Sequence, residues 1–384
     1  MHQLFFVFVF MTLGGSTCDA WQQQGKPTLK QPPLAAQETP QEQEPIRVRT
    51  EEVHIPVLTL DEFGHFDPTL TVEDLMIRED GVVQEIRGLF RRPASVLLLL
   101  DTGGEVNPIK TVSMTRQVAT QLISNLKEDD LVSVLQFNSR AEIVQDWTAD
   151  KLEAIKALDR KLFAGERAVL SEAIALATLR LQDMPVGSRH LVLISDGVET
   201  PTEREQYNDV IGGLIKTGVT VHVISYTSLL GVMKKQFRTS RPREKSRHPE
   251  EMIMSLPRNK RPNDPRPDLV DQLRAKGGTT IDLDPALRRR RQEYEIAVES
   301  SERRLTELAR ETGGGMWLPT SLTEMINHSG EVAREIGSQY IITYRPKRPI
   351  TSGAVGTYRR VDVISRRNGL RVRSRRSYIA PRDK

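Results

Sequence analysis

The sequence predicts an α/β protein built on a doubly wound, mostly parallel sheet, with a small β module added from its two end segments. Three observations carry this. Val96–Leu100 (VLLLL) is an unbroken apolar run ending at Asp101, and His190–Ser195 (HLVLIS) is another ending at Asp196. Runs of this kind suit strands buried on both faces of a parallel sheet. Between them, apolar residues recur at helical spacing, as in Met114, Val118 and Leu122, or Leu170, Ile174, Ala177 and Leu181. Towards both ends of the chain, apolar residues instead alternate, with turn residues between the runs.

The chain has 384 residues, 38% hydrophobic and 28% charged, with a formal net charge of +4. That is enough for one large or two modest domains with a real core. Leu4–Leu13 is a compact apolar run, and small and polar residues follow it to Ala20. The run falls short of the ~20 residues that a membrane span needs. Residues 1–20 therefore read as a secretory signal peptide, with an uncleaved anchor as the alternative. An extracytoplasmic protein with no stable membrane insertion after cleavage is the expectation. Cys18 is the only cysteine, so cleavage after Ala20 removes disulfides, thiolate metal sites and a cysteine nucleophile together. Residues 21–45, rich in Gln and Pro, read as a flexible linker.

Residues 46–92 read as β structure. Val53, Ile55 and Val57 alternate, Leu75–Ile77 forms a second run, Glu79-Asp80-Gly81 a turn, and Val82, Val83 and Ile86 a third strand. Residues 93–338 alternate strands and helices, the mark of a parallel, Rossmann-like sheet. Its further strands are Leu131–Phe137, an edge strand at Ala141–Trp147, Val219–Ser225 and Met316–Leu318. Helices are expected at Pro285–Thr312 and Leu322–Ile336. A basic insertion at about 228–284 breaks the pattern, with Lys234, Lys235, Arg238 and Arg241 close together; it reads as a long solvated loop. In residues 339–381, Tyr340–Tyr344 is a strand. Asn368-Gly369 then signals a hairpin that pairs Ser365 with Val372 and Val363 with Ser374. Val361, Val363, Leu370 and Val372 would pack on the 46–92 strands, leaving Arg371, Arg373 and Arg375 in solvent.

Asp101 and Asp196 are the candidate site. Both fall at strand ends on what should be one sheet edge, where open α/β sheets bind ligands. Paired carboxylates make a hard-oxygen site for magnesium, manganese or calcium, although an Asp at such a position more commonly caps a turn. Other chemistry is thin. No His pair has zinc-ligand spacing, and there is neither a phosphate loop nor a Gly-x-Ser-x-Gly elbow. The basic run lacks aromatic interleaving, so a nucleic-acid partner is not expected.

The stretch after Ser95 resembles a von Willebrand factor type A domain. More closely, the chain resembles the bacterial VWFA-related domain proteins. It shares their Glu79-Asp80-Gly81-Val82-Val83-Gln84 turn just before the strand ending at Asp101. It also shares an ending like Gln339-Tyr340-Ile341-Ile342-Thr343-Tyr344-Arg345-Pro346 before an Arg-rich segment. The resemblance implies a metal-ion-dependent adhesion site of the form Asp-x-Ser-x-Ser, with a Thr and a second Asp from later loops. Asp101 and Asp196 match the two Asp positions. Gly103 and Glu105 replace the two Ser, and Ala168 aligns with the Thr, so the site reads as degenerate. The leading expectation is a secreted, non-enzymatic module that binds a protein partner, with no catalytic residues and no resident cofactor. The alternatives are a metal-dependent adhesion module holding magnesium or another divalent cation on Asp101, Glu105 and Asp196, and a hydrolase whose site the sequence does not display.

Overall fold

The computed structural model describes residues 52–103, 111–199, 204–229, 285–349 and 357–380. The signal peptide, the linker, the greater part of the basic insertion and Glu105 lie outside the described residues. Those described all fall in one unit, Thr50–Lys384.

The first four strands are β1 (Val53–Leu60), β2 (Leu75–Glu79), β3 (Val82–Gln84) and β4 (Ile86–Phe90). β2 and β3 join through Asp80-Gly81, both at positive φ (48° and 84°). That is the two-residue turn whose twist matches a hairpin, and glycine takes its second position without strain. The single strand expected at Val82–Ile86 is in fact two. The chain breaks at Glu85, so β3 pairs with β2 while β4 joins a different sheet.

Next come β5 (Ser95–Asp101), α1 (Val112–Asn125), β6 (Leu131–Phe137), β7 (Ala141–Thr148), α2 (Lys151–Lys161), α3 (Leu170–Leu181), β8 (Arg189–Ile194), α4 (Arg204–Lys216), β9 (Thr220–Ile224), α5 (Pro285–Thr312), β10 (Met316–Trp317) and α6 (Leu322–Ser338). The six strands form one sheet in the order β10-β9-β8-β5-β6-β7. All its pairings are parallel except that of the edge strand β7. Every residue of β5 and β8 is buried, because helices cover both faces. Val96, Leu98 and Leu100 pack with Val118 and Leu122 of α1, Ala154 and Leu158 of α2, and Val332 of α6. Leu97 and Leu99 pack with Ile174 of α3, Leu214 of α4 and Leu305 of α5. Each such leucine contributes about 1.5–3 kcal/mol by leaving water. Side-chain caps start three of the helices: Thr111 accepts from Met114 N–H, Asp150 from Leu152 and Glu153 N–H, and Ser321 from Glu324 N–H.

The last strands are β11 (Tyr340–Tyr344), β12 (Tyr358–Ser365), β13 (Arg371–Ser374) and β14 (Ser377–Ile379). They interleave with the first four in two antiparallel sheets, β13-β1-β11-β4 and β14-β12-β2-β3. Ile55, Val57, Ile77, Ile342, Tyr344 and Val361 form a shared core. At its centre the Glu79 carboxylate accepts from Arg359 (2.8 Å), Tyr344 Oη (2.7 Å) and Tyr378 Oη (2.8 Å). Arg359 also donates to the Arg348 and Pro349 carbonyls.

Two expectations for this end are corrected. β12 and β13 do not pair as a hairpin: β12 runs beside β2 and β13 beside β1. Of the three arginines expected in solvent, Arg371 is exposed, but Arg373 and Arg375 are not. Arg373 forms an ion pair with Glu335 of α6. Arg375 is 4% exposed and donates to the Ser377 and Ile215 carbonyls. Burial pulls its guanidinium down to about 10. Longer-range pairing with β1 and β2 outweighed the local turn signal.

Candidate functional site

β5 and β8 run parallel and adjacent, so their carboxyl ends bring Asp101 and Asp196 to one edge of the sheet. Asp101 is fully buried. Its Oδ1 accepts from Gly103 N–H at 3.1 Å and its Oδ2 from Ser195 Oγ at 2.6 Å. Ser195 Oγ in turn accepts from Gly197 N–H at 2.9 Å. Asp196 is 2% exposed. Its Oδ1 accepts from Val198 N–H at 3.0 Å and its Oδ2 from Tyr294 Oη at 2.8 Å, while its carbonyl accepts from Ser301 Oγ at 2.6 Å.

Tyr294 and Ser301 both belong to α5, and so does Glu302, which accepts from Thr227 Oγ1 at 2.7 Å. The helix that follows the basic insertion is thus tied to two strand ends, those of β8 and β9. Its lower half, through Leu305 and Leu308, is part of the core. The sequence predicts the helix Pro285–Thr312 without singling out Tyr294 for the site; a phenol among aliphatics at helical spacing is the one signal it offers.

Two further side chains shape the edge. Tyr226, just beyond β9, is fully buried and shares a 2.6 Å hydrogen bond with Thr115 of α1. Burial raises its phenol well above the ordinary value, and the nearby charges of Asp101 and Asp196 push the same way. Glu199 accepts from the Ser171 N–H and Oγ at 2.9 and 2.8 Å. It thereby supplies the start of α3 with the acceptor that Val169 at the N-cap lacks.

Among the described residues, the hydroxyl ligands of the resembled site are missing from this edge. The position of the first Ser is Gly103, which forms a bridge to Gly165, and Gly165 N–H donates to the Thr102 carbonyl at 3.0 Å. A Cβ at 103 would stand 1.7 Å from the Arg167 carbonyl oxygen. The loop backbone therefore fills the space into which a serine would reach. Ala168, buried at 4% exposure, supplies a methyl group instead of a hydroxyl. Among the described residues no group of three or more His, Cys, Asp or Glu side chains is placed to hold a metal. The two carboxylates already accept from hydroxyl and amide donors.

His190 and His222 are buried neighbours in β8 and β9. Their rings stack 5.6 Å apart, with His190 Nδ1 3.4 Å from His222 Nε2. Burial lowers His190 to about 3 and drives His222 down as well. No helix among the described residues is long and apolar enough to cross a membrane.

Residues 95–250 match the family profile described as von Willebrand factor type A domain. No curated protein matches the chain. Several solved structures are similar. One is a von Willebrand factor type A protein from Catenulispora acidiphila, at 11% identity over 88% of this chain and 76% of that one, with a TM-score of 0.42. Another is the conserved hypothetical protein BatB from Bacteroides thetaiotaomicron, at 19% identity over 34% of this chain, with a TM-score of 0.30. The match spans 66% of BatB, just under two thirds of its length. A third is the vWF domain of the type V pili tip protein Mfa5 from Porphyromonas gingivalis, at 16% identity over 28% of this chain and 39% of that one, with a TM-score of 0.25.

Proposed function

We propose, from the premise that the chain carries a von Willebrand factor type A domain at residues 95–250, that it is an extracytoplasmic, non-enzymatic module that binds a protein partner through a degenerate, metal-free adhesion edge. The observation that carries this reading is the closed hydrogen-bond circuit at the strand ends. Asp101 is satisfied by Ser195 and Gly103, and Asp196 by Tyr294 and Val198. A site poised for chemistry keeps a nucleophile and a base able to exchange a proton. Here Ser195 Oγ donates a hydrogen bond to Asp101 and accepts one from Gly197 N–H, and both side chains are fully buried, out of reach of a substrate, which supports a structural role. The signal-like run at Leu4–Leu13 supports placement outside the cytoplasm.

The rival reading is a metal-dependent adhesion module on Asp101, Glu105 and Asp196. It is favoured by the meeting of two carboxylates at one sheet edge. A pull-down from the producing cell's envelope, with and without chelator, separates the two, together with calorimetric titration of magnesium, manganese and calcium. Partner capture that persists in chelator is expected. Capture lost to chelator, or micromolar cation binding abolished by Asp101→Ala, would overturn the metal-free reading. Turnover of ester, peptide or phosphate substrates in an activity screen would favour a hydrolase instead.

A further inference from the structure

β13 and the residues just after it tie the β module to the α/β unit at three points. Arg373 forms an ion pair with Glu335 of α6. Arg375 donates to the Ile215 carbonyl at the end of α4 (3.3 Å), and Arg376 N–H donates to the Glu311 carbonyl of α5 (3.1 Å). The last two bonds end on carbonyls, which do not titrate. The first ends on a carboxylate. Its guanidinium also lies close enough to His222 to oppose a charge on that ring.

The stacked pair His190–His222 is therefore part of this seam. Each histidine is 1% exposed. His190 Nδ1 and His222 Nε2 stand 3.4 Å apart, so one donates and the other accepts. Among the described residues, His222 Nδ1 and Arg373 Nε have no hydrogen-bond partner, and a buried polar atom left unpaired costs free energy. The surroundings are hostile to a proton. β8 brings only the His190 ring, β10 the Trp317 ring at 6.0 Å, and β13 the like-charged Arg373. α6 packs on β9 and brings one carboxylate, Glu335, which Arg373 already holds, with Glu331 near it. With both rings charged, two N–H groups would face each other. His54 of β1 lies elsewhere on the seam, 3.4 Å from the Val186 carbonyl and 3.6 Å from Glu52.

We propose that this seam is an acid-sensitive latch, closed while both imidazoles are neutral and released, with β13 leaving α6 and β1, when they take up protons. β13 is an edge strand held on one side by β1, so it is the piece free to move. Burial lowers both rings. Below the ordinary value of 6.5, an opened seam binds protons that the closed one refuses, so acid favours the open form. Glu335 works the other way. Burial raises its carboxyl, so the closed form takes that proton more readily. Two histidines against one carboxylate leave release the stronger response.

The test is hydrogen exchange on the full-length chain at pH 7 and pH 5, with protection corrected for the pH dependence of exchange itself. Protection of β13 is expected to fall at least about tenfold at pH 5, the effect of one histidine over one pH unit, while β5 and β6 keep theirs. The double variant His190→Leu, His222→Leu should protect β13 equally at both pH values. Where that variant melts below the parent, Glu335→Gln decides. It removes the group that opposes release, so the loss of β13 protection between pH 7 and pH 5 must grow. Equal protection of β13 at both pH values in the parent, or a fall shared by β5 and β6, would overturn the latch. So would a fall that persists in the double variant, or an unchanged loss in Glu335→Gln where that variant decides.

Discussion

Tyr294 donates to Asp196 at 2.8 Å across 98 positions of chain, joining the helix after the insertion to the end of β8. The bond places a half-buried phenol against one of the two carboxylates at this sheet edge. Tyr294→Phe keeps the ring and deletes the donor. It is expected to cost about 1–2 kcal/mol, the range for one hydrogen bond to a charged acceptor. Urea unfolding measures it, and a midpoint equal to that of the parent would show that the bond contributes nothing.

Gly103 offers a sharper test of the closed edge. Restoring the missing hydroxyl by Gly103→Ser drives a side chain into the Arg167 carbonyl. The expected outcome is a loss of about 1–3 kcal/mol from overpacking, with no gain of magnesium binding by calorimetry. A Gly103→Ser chain of parental stability that binds magnesium would mean that the loop yields readily and the edge is open.

The buried Arg359–Glu79 pair is the next prediction. Both side chains are nearly inaccessible, and through Tyr344 and Tyr378 they connect β2, β11, β12 and β14. Removing one partner of such a pair strands the other charge. Arg359→Ala is expected to cost about 3–5 kcal/mol by that mechanism. Hydrogen exchange should show protection falling in both antiparallel sheets while β5 and β8 keep theirs. A loss confined to β12 would mean that the pair does not couple the sheets.

Acid should weaken the fold through the stacked histidines. His190 titrates near 3 when folded against an ordinary 6.5, because burial disfavours its charged form. Between those values the unfolded chain binds a proton that the folded chain refuses. Stability therefore falls as pH drops through that window and is fully present above it. The urea midpoint should be lower at pH 4 than at pH 7, and His190→Leu should flatten part of that slope. An unaltered slope in the variant would assign the whole acid sensitivity to carboxylates.

The legible parts of this chain were those governed by burial or by local turn chemistry. Val96–Leu100 and His190–Ser195 announce doubly covered strands because no polar residue can alternate there. Two parallel strands ending in Asp put Asp101 and Asp196 at one edge for the same reason. Asp80-Gly81 names its own hairpin. What stayed hidden depends on distant partners. Asn368-Gly369 sends the same local signal, yet β13 is claimed by β1 and β12 by β2. α2 went unread although Asp150 caps it and Ala154, Ala157 and Leu158 share its buried side. Its short apolar residues make a faint stripe. The target of the Tyr294 hydroxyl is set by how α5 crosses the sheet, which helical spacing does not encode.

The interleaving of first and last strands has a consequence for the order in which the molecule is completed. Val53 pairs with Tyr344 and Val57 with Ser374, so β1 leaves the ribosome long before either partner exists. The α/β unit between them has its own core and can close first. β1 waits as an unpaired edge until β11 and β13 arrive, a stage at which chains are prone to aggregate. A chain stopped short of β13 would carry a finished type A domain and an unfinished clasp. Synthesis through β13 is thus a condition for covering β1.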